Sequence, residues 1–292
     1  MDVSIIIVNY KTPELLKDCI VSVIEKTINI NYEIIVVDNN SNDGSEEIIS
    51  NYFPNVHYIQ SGSNLGFGKA NNLGLKKALG RNVFFLNSDT LLMNNAINIL
   101  SEYLDNHDKV GLCGGNLFDL KSNYIHSFSP YFPGIYNELD AILSFRLSKI
   151  LNRDRKQFNP TNKTLKVAYI CGADMMVKKT VLEKVGGFDP DFFLYFEETE
   201  LCHRISKESF EIHSVPDAKI IHLEGGSQST SKAKLTFYNK SRKLYYKKRY
   251  SRFNYVFVSV LFYVKCFVAL TKNLIFFNKN KINLWYNNLT TY

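Results

Sequence analysis

The chain has 292 residues, 45% hydrophobic and 22% charged, enough apolar material for one large domain or a domain with an appendage. That composition excludes intrinsic disorder, a collagen-like repeat and a disulfide-stapled miniprotein. Its formal charge of +7 is an average of two unlike parts. From Lys232 to Tyr292 there are thirteen Lys or Arg and no Asp or Glu, a charge of +13. The preceding residues hold 35 − 13 = 22 basic and 28 acidic side chains, a charge of −6. A mildly acidic body is joined to a strongly basic tail.

Met1-Asp2 runs directly into a strand-like segment, so no signal peptide is expected. The five scattered cysteines lack CxxC spacing and read as small buried hydrophobes of a reducing cytosol, not as a zinc site.

The run Val3 to Asn9 is the continuous β-branched pattern of a parallel strand buried on both faces. Thr12-Pro13 reads as an N-cap and first helical position, and Leu15, Leu16, Cys19, Ile20, Val23 and Ile24 follow at helical spacing. A second strand, Glu33 to Asp38, enters a polar loop and a short helix from Ser45. A third strand near Val56 to Gln60 leads to a Gly- and Asn-rich loop and a helix ending near Gly80. The fourth strand, Asn82 to Asn87, ends in Ser88-Asp89-Thr90. Alternating strands and helices indicate βαβ units and a mainly parallel sheet.

In such sheets ligands bind beyond the carboxyl ends of the strands. Here those ends carry Asn9-Tyr10, Asp38-Asn39-Asn40, Ser61 to Gly68, and Asn87-Ser88-Asp89. Turn-forming chemistry explains any one of these, but a single ligand cleft explains the set better. Beyond Gly111 the pattern loosens, and Tyr131 to Thr164 reads as an insertion over the cleft with a helix around Leu139 to Leu151. Order returns at Val167 to Val177, a helix from Lys178 to Val185, and the acidic, aromatic block Phe192 to Leu201.

Five segments carry a resemblance: Ser4 to Lys11, Ile35 to Ser45, Asn64 to Asn72, Phe85 to Thr90, and Gly186-Gly187-Phe188-Asp189 running into Glu197-Glu198-Thr199-Glu200-Leu201. Their order and spacing are similar to the family 2 inverting glycosyltransferases, especially the rhamnosyltransferase-like branch of bacterial surface-polysaccharide biosynthesis. The likeness spans Ser4 to Ser227, over three-quarters of the chain. It implies an α/β GT-A fold: a Rossmann-like, mainly parallel sheet with flanking helices, here followed by basic amphipathic C-terminal helices. The implied domains are 1–230, with a nucleotide-binding half to about residue 118, and a helical region at 231–292.

The resemblance assigns donor binding to Asn9, Tyr10, Asp38, Asn40, Asn64, Gly66, Phe67, Asn72, Asn87, Ser88 and Asp89. Asp38 would accept the imide N–H of uracil or thymine, with a turn-forming Asp as the alternative. The helix opening after Gly66 is expected to face the diphosphate through its N-terminus. Where the family has Asp-x-Asp to hold Mg²⁺ or Mn²⁺, this chain has Asn87 in the first place, so only Asp89 matches as an ionic ligand. His222 would complete that metal shell or contact the diphosphate, or be structural.

Glu198 takes the place of the family's catalytic base, usually an Asp, and reaches one methylene further. Repulsion among Glu197, Glu198 and Glu200, together with burial, is expected to raise its pKa towards a useful range. An ordinary acidic first helical turn is the alternative. Gly172, Asp174 and Glu197 are the acceptor-side candidates.

The tail interleaves basic and aromatic residues from Ser241 to Arg252 and then turns apolar. Lys265, Lys272 and Lys279, spaced by seven, would form one charged stripe on an otherwise apolar helix. An interfacial helix on anionic lipid is expected, which suits a peripheral enzyme of the inner membrane face. Packing on the body or in a homodimer, or spanning the membrane, are the alternatives; nucleic acid is not the expected partner.

The expected activity is transfer of a sugar from a dTDP- or UDP-linked donor, dTDP-rhamnose or a UDP-hexose, to a glycan or polyprenyl-diphosphate-linked acceptor. Competing readings are a sugar nucleotidyltransferase, whose Gly-rich basic loop after the first strand is missing, and a catalytically degenerate scaffold subunit.

Overall fold

The structure is a computed structural model and describes residues 1–143, 145–151, 153–223 and 232–292. Two compact units divide the chain. The first comprises Met1–Tyr131, Lys156–Phe193 and Glu197–Gly226; the second comprises Phe132–Arg155, Leu194–Phe196 and Ser227–Tyr292.

The first unit begins with β1 (Val3–Asn9), α1 (Pro13–Lys26), β2 (Tyr32–Asp38), α2 (Ser45–Tyr52), β3 (His57–Gln60), α3 (Phe67–Leu75) and β4 (Asn82–Asn87). It continues through β5 (Thr90–Leu92), α4 (Ala96–Asp105), β6 (Val110–Phe118) and β7 (Phe128–Ser129). The chain then enters the second unit as α5 (Ile135–Ile142) and α6 (Arg146–Ile150). It returns as β8 (Leu165–Lys166), β9 (Tyr169–Ile170), β10 (Asp174–Lys178), α7 (Lys179–Val185), α8 (Glu197–Lys207) and β11 (Glu211–His222). The second unit ends with α9 (Lys232–Arg249), α10 (Arg252–Ile275) and α11 (Lys279–Thr291).

The main sheet runs β3-β2-β1-β4-β10-β6-β11-β5, with β8 paired to β11. Strands β3, β2, β1 and β4 are mutually parallel; β1, β2 and β4 are largely apolar and buried, as strands covered on both faces must be, while β3 is the partly exposed edge. β10 is antiparallel to both of its neighbours, whereas β6 and β11 are parallel. Register decides which exits align: Asn9 pairs with Asp38, Asp38 with Gln60, and Asn87 with Val8. The core lies where α1 meets the sheet, and Leu16, Cys19, Ile20 and Val23 are fully buried with Val3, Ile5 and Ile7. Each such aliphatic side chain contributes about 1.5–3 kcal/mol on burial. The cysteines are free, four buried and Cys171 half-buried.

Several local expectations are corrected. Thr12 does not cap α1 through its side chain; its hydroxyl donates to Asn9 Oδ1 at 3.0 Å. α3 stops at Leu75, and Gly80 instead lets the turn pass the start of β1, where a Cβ would lie 2.4 Å from the Ser4 nitrogen. The helix expected over Leu139 to Leu151 is two short helices, broken where Phe145 adopts φ 65°. The run Val167 to Val177 is split between β9 and β10, with Gly172 in the interruption.

In the second unit, Glu138 on α5 is buried between Arg242 of α9 at 2.7 Å and Lys265 of α10 at 3.2 Å. Burial alone would raise the Glu138 pKa, but the two cations outweigh it and hold the carboxyl below its usual range. The Arg242 guanidinium also packs over Phe262 and Tyr292. The expected Lys265, Lys272 and Lys279 stripe therefore does not form. Lys265 faces inward to Glu138, and Lys279 belongs to α11 after the chain has broken at Phe277 with φ 51°. The outward face of α10 is apolar instead, with Phe253, Val256, Val260, Phe267 and Leu274 exposed. By length and composition this 24-residue helix is sufficient to cross a membrane, and 22% of its most apolar stretch is buried.

Candidate active site

Three groups of polar side chains stand at the strand exits of the first unit. Asp38, at the end of β2, is 1% exposed and its carboxylate is saturated. Oδ1 accepts from Asn9 Nδ2 at 2.9 Å and Ser45 Oγ at 3.4 Å; Oδ2 accepts from the Ser41 amide at 2.9 Å and Gln60 Nε2 at 3.0 Å. Burial would raise this pKa, but the donors from Ser41, Asn9 and Gln60 outweigh it and keep the carboxyl below its usual range. Asn9 is fully buried and serves the same network, whereas Tyr10 beside it is exposed. Asn40, half-buried, sits in the left-handed region at φ 62° in the turn that follows.

The second group forms because β5 and β11 pair antiparallel, with His222 opposite Thr90 and so beside Asp89. His222 Nε2 lies 3.3 Å from Asp89 Oδ1 and 3.5 Å from Asn87 Nδ2. The Leu223 amide donates to the Asp89 carbonyl and closes the corner. Asn87 Oδ1 and His222 Nδ1 are buried and have no hydrogen-bond partner among the described residues. Thr12 joins this group to the first, its hydroxyl reaching Asn9 Oδ1 on one side and Ser88 Oγ, at 3.1 Å, on the other. Among the described residues no three His, Cys, Asp or Glu side chains gather as a metal cluster. The Asp89–His222 pair, one carboxylate oxygen and one imidazole nitrogen beside an orphaned amide oxygen, nevertheless fits a divalent cation whose other positions are filled by phosphate oxygens and water.

The third group is built on the first turn of α8. Glu198 is half-buried, its Oε1 accepting from Thr199 Oγ1 at 3.0 Å. Burial raises its pKa despite that bond and the backbone donors of the helix start. Glu197 is 4% exposed and its pKa is pushed well up, by burial first and then by the charge of Glu198; its Oε2 is a buried oxygen without a partner among the described residues. Gly172 lies against this turn, and a Cβ there would sit 3.7 Å from Glu198 Cβ and 3.8 Å from the Phe67 ring. Glu200 does not join the cluster. It is fully buried and paired to Arg204, which also donates to the Val185, Gly186 and Gly187 carbonyls. The expected crowding of three glutamates is therefore a crowding of two.

Some residues assigned by resemblance hold the frame. Asn72 exchanges two hydrogen bonds with Phe188, 2.7 and 2.8 Å, and so fixes the loop before the acidic turn. Asn64 Oδ1 accepts from the Gly66 amide and from Asn39 Nδ2. Gly66 is at φ 79°, where a Cβ would collide with the Phe193 carbonyl, and the Phe67 amide donates to that carbonyl at 2.9 Å. The Gly66 and Phe67 amides at the α3 N-terminus are thus occupied by the protein itself. Asp174 is fully buried within β10, where Oδ2 accepts from the Gly115 amide at 2.7 Å and burial drives its pKa well up. It does not reach the cleft surface. The Gly225-Gly226 loop expected after His222 lies outside the described residues.

Gln60 and Arg204 were not singled out from the sequence, and Thr12 was read only as a helix cap. Arg204 had a signal, the i,i+4 spacing from Glu200; Gln60 had none, because the pairing of β2 with β3 brings it to Asp38.

The pattern described as glycosyl transferase family 2 matches residues 4–186, more than half of the chain, and the chain belongs to that family. Among relatives, the low-salt glycan biosynthesis hexosyltransferase Agl10 of Haloferax volcanii is 28% identical over 289 residues, covering 89% of this chain and 81% of that protein. The dTDP-rhamnosyl transferase RfbF of Shigella flexneri is 26% identical over 67% of this chain and 61% of its own length. The N-acetylglucosaminyl-diphospho-decaprenol L-rhamnosyltransferase of Mycobacterium tuberculosis is 24% identical over 75% of each chain. Among solved structures, GalNAc-T7, crystallised with UDP, GalNAc and Mn²⁺, superposes with a TM-score of 0.59 at 17% identity, covering 85% of this chain and half of that one. The fold is GT-A and the protein is a rhamnosyltransferase-like glycosyltransferase of family 2.

Proposed function

We propose that this enzyme inverts the anomeric centre of a nucleoside diphosphate sugar, dTDP-rhamnose or a UDP-hexose, and transfers the sugar to a polysaccharide or lipid-linked oligosaccharide. The observation that carries the reading is the half-buried Glu198 at the α8 start, its pKa raised and Gly172 leaving open backbone beside it. A carboxylate so placed removes the acceptor hydroxyl's proton as the oxygen attacks the anomeric carbon from the face opposite the nucleotide. Burial and the charge of Glu198 push the Glu197 pKa well up, which favours its neutral form beside Glu198. Tyr10, exposed beside the Asp38 network, offers a ring to the nucleobase. Asp38 and Asn9 fix the loop around it, Asp38 acting as a positioning group whose carboxylate is already taken by Asn9, Ser45, Ser41 and Gln60.

Asp89 and His222 would hold Mg²⁺ or Mn²⁺, with Asn87 Oδ1 as a further oxygen. Such an ion supplies Lewis acidity to the departing diphosphate. The site work belongs to residues 1–230. The region 231–292 serves as a peripheral anchor on the cytoplasmic membrane face, a reading supported by its unbroken positive charge and by the exposed apolar side of α10.

Thermal-shift screening against UDP-, dTDP- and GDP-sugars with each cation identifies the donor, because a bound ligand raises the unfolding midpoint by mass action. With that donor, Glu198→Gln is expected to abolish transfer and leave donor binding intact; substantial residual turnover rejects Glu198 as base. Asp89→Ala is expected to remove the cation-dependent part of donor binding. Donor binding and transfer that survive both this change and EDTA overturn the metal assignment.

A further inference from the structure

Three residues of the second unit, Leu194–Phe196, run directly into Glu197 and Glu198 at the start of α8. Their backbone is unusual. Tyr195 and Phe196 are consecutive and both left-handed, at φ 71° and 66°. Bulky side chains seldom adopt that region, because Cβ crowds the following carbonyl oxygen, and two in succession persist only where their surroundings hold them. Phe196 also cannot cap α8, since its ring has no oxygen to accept the first helical amides as Ser, Thr, Asp or Asn would. Neither local preference nor a side-chain cap from Phe196 therefore sets the direction in which the chain enters the helix.

The hold comes from α9. Tyr238, Ser241 and Tyr245 are spaced at i, i+3 and i+7 and share one helical face. The buried Ser241 hydroxyl donates to the Leu194 carbonyl at 2.8 Å. The Tyr238 ring meets both aromatic side chains of the strap edge-on, its centre 5.8 Å from that of Tyr195 and 5.2 Å from that of Phe196. Tyr245, fully buried, packs on Phe196 from the next turn at 5.6 Å. Every residue of the strap is thus gripped by α9, and the carbonyl just before it, that of Phe193, is taken by the Phe67 amide within the first unit.

We infer that Ser241 and Tyr238 are positioning residues for sugar transfer: through the strained strap 194–196 they fix the start of α8 and with it the Glu198 carboxylate. The role rests on the reading of Glu198 as the base. It gives part of the basic tail a task in catalysis beyond membrane attachment. In the reaction served, Glu198 takes the proton of the attacking hydroxyl, the new anomeric C–O bond forms, and the bond to the diphosphate breaks. A displacement of about 1 Å at such a group costs on the order of 100-fold, so modest loosening of the strap registers in kcat.

The test is turnover of the full-length chain, read as release of nucleoside diphosphate with water as acceptor. The substrate is whichever UDP-, dTDP- or GDP-sugar most raises the unfolding midpoint of the wild type, and Glu198→Gln sets the background. Tyr238→Ala is expected to lower kcat about 30-fold with KM for the nucleotide sugar unchanged. Ser241→Ala, which removes a single hydroxyl and covers the case in which Tyr238→Ala does not fold, is expected to lose about fivefold in kcat alone. Tyr238→Phe keeps the ring and is expected to remain within about twofold of the wild type. Phe253→Ala, at an exposed position of α10, is the control and is expected to turn over as the wild type does.

Hydrogen exchange of the segment 193–201 supplies a readout without substrate. It is expected to quicken about tenfold in Tyr238→Ala and to stay at the wild-type rate in Tyr238→Phe. Unchanged kcat and exchange in Ser241→Ala and in a folded Tyr238→Ala overturn the inference. So does a loss shared equally between kcat and nucleotide-sugar affinity, which would make α9 a general support, or a loss as large in Tyr238→Phe or in the control. A wild type that binds and turns over no nucleotide sugar contradicts the functional reading. A wild type that does so, with variants unaltered in kcat and exchange, contradicts this inference alone.

Discussion

Asp38 and Glu198 are both carboxylates at the open end of the sheet unit, and their surroundings give them opposite acidities. Asp38 ends a central strand and is met by four donors, so it stays ionised although it is buried. Glu198 begins a helix beside a second, buried glutamate and accepts from the Thr199 hydroxyl, and burial prevails over that bond so that its pKa rises. A carboxylate saturated by the protein is a positioning group, whereas one left partly unsatisfied can exchange a proton. Glu200, two residues beyond Glu198, shows how local the distinction is, since Arg204 neutralises it and makes it structural.

The sharpest way to break this comparison is to move the Glu198 carboxylate without removing it. Glu198→Asp restores the residue usual in the family but shortens the reach by one methylene, and kcat is expected to fall about 100-fold with little change in donor affinity. Full activity in this variant would mean that the α8 start adjusts freely and that placement of the base is not tight.

Glu200→Gln leaves Arg204 without its ionic partner in a largely buried setting, and urea denaturation is expected to show a loss of about 3 kcal/mol. Asp38→Asn exchanges an acceptor of four hydrogen bonds for an amide that must itself donate, with an expected loss of about 2 kcal/mol together with weaker nucleotide binding. Retained stability and nucleotide affinity would reduce Asp38 to an ordinary turn residue.

The smallest effects are those of pH. The folded-state pKa of Asp38 is depressed, so its contribution to stability is present above the unfolded value and is lost as pH falls through the folded one. Asp38→Asn is accordingly expected to flatten the acid side of the stability profile. Glu197 has the opposite sign. Its folded-state pKa is raised, so stability falls as pH rises from the unfolded value through the folded one, and Glu197→Gln is expected to remove that decline. For Glu198 the acid limb of the kcat profile is expected above the usual carboxylate range.

The four parallel strands, their order of appearance and the polar character of their exits were legible in the residues, because a β-branched run bounded by Asn, Asp and Gly has few other solutions. Glu198 and Asp89 were legible for a different reason, their place in five spaced segments. The roles of their neighbours were not. Asn72 and Asn64 look like ligand residues in a linear motif, yet they close loops, because each side chain meets a backbone group that the chain brings back from elsewhere.

Sequence by itself determined an acidic α/β body, a basic aromatic tail and the chemical inventory of the cleft, since these follow from composition and short-range pattern. Only the tertiary structure decided how charge is spent. Asp89 meets His222 through an antiparallel pairing of β5 with β11, a contact between residues far apart in the chain. Lys265 turns inward because Glu138, from another segment, is buried against it. The +13 of the tail is therefore not one surface charge. Burial and pairing consume part of it, and α10 is left with an apolar outer face that no linear spacing of lysines revealed.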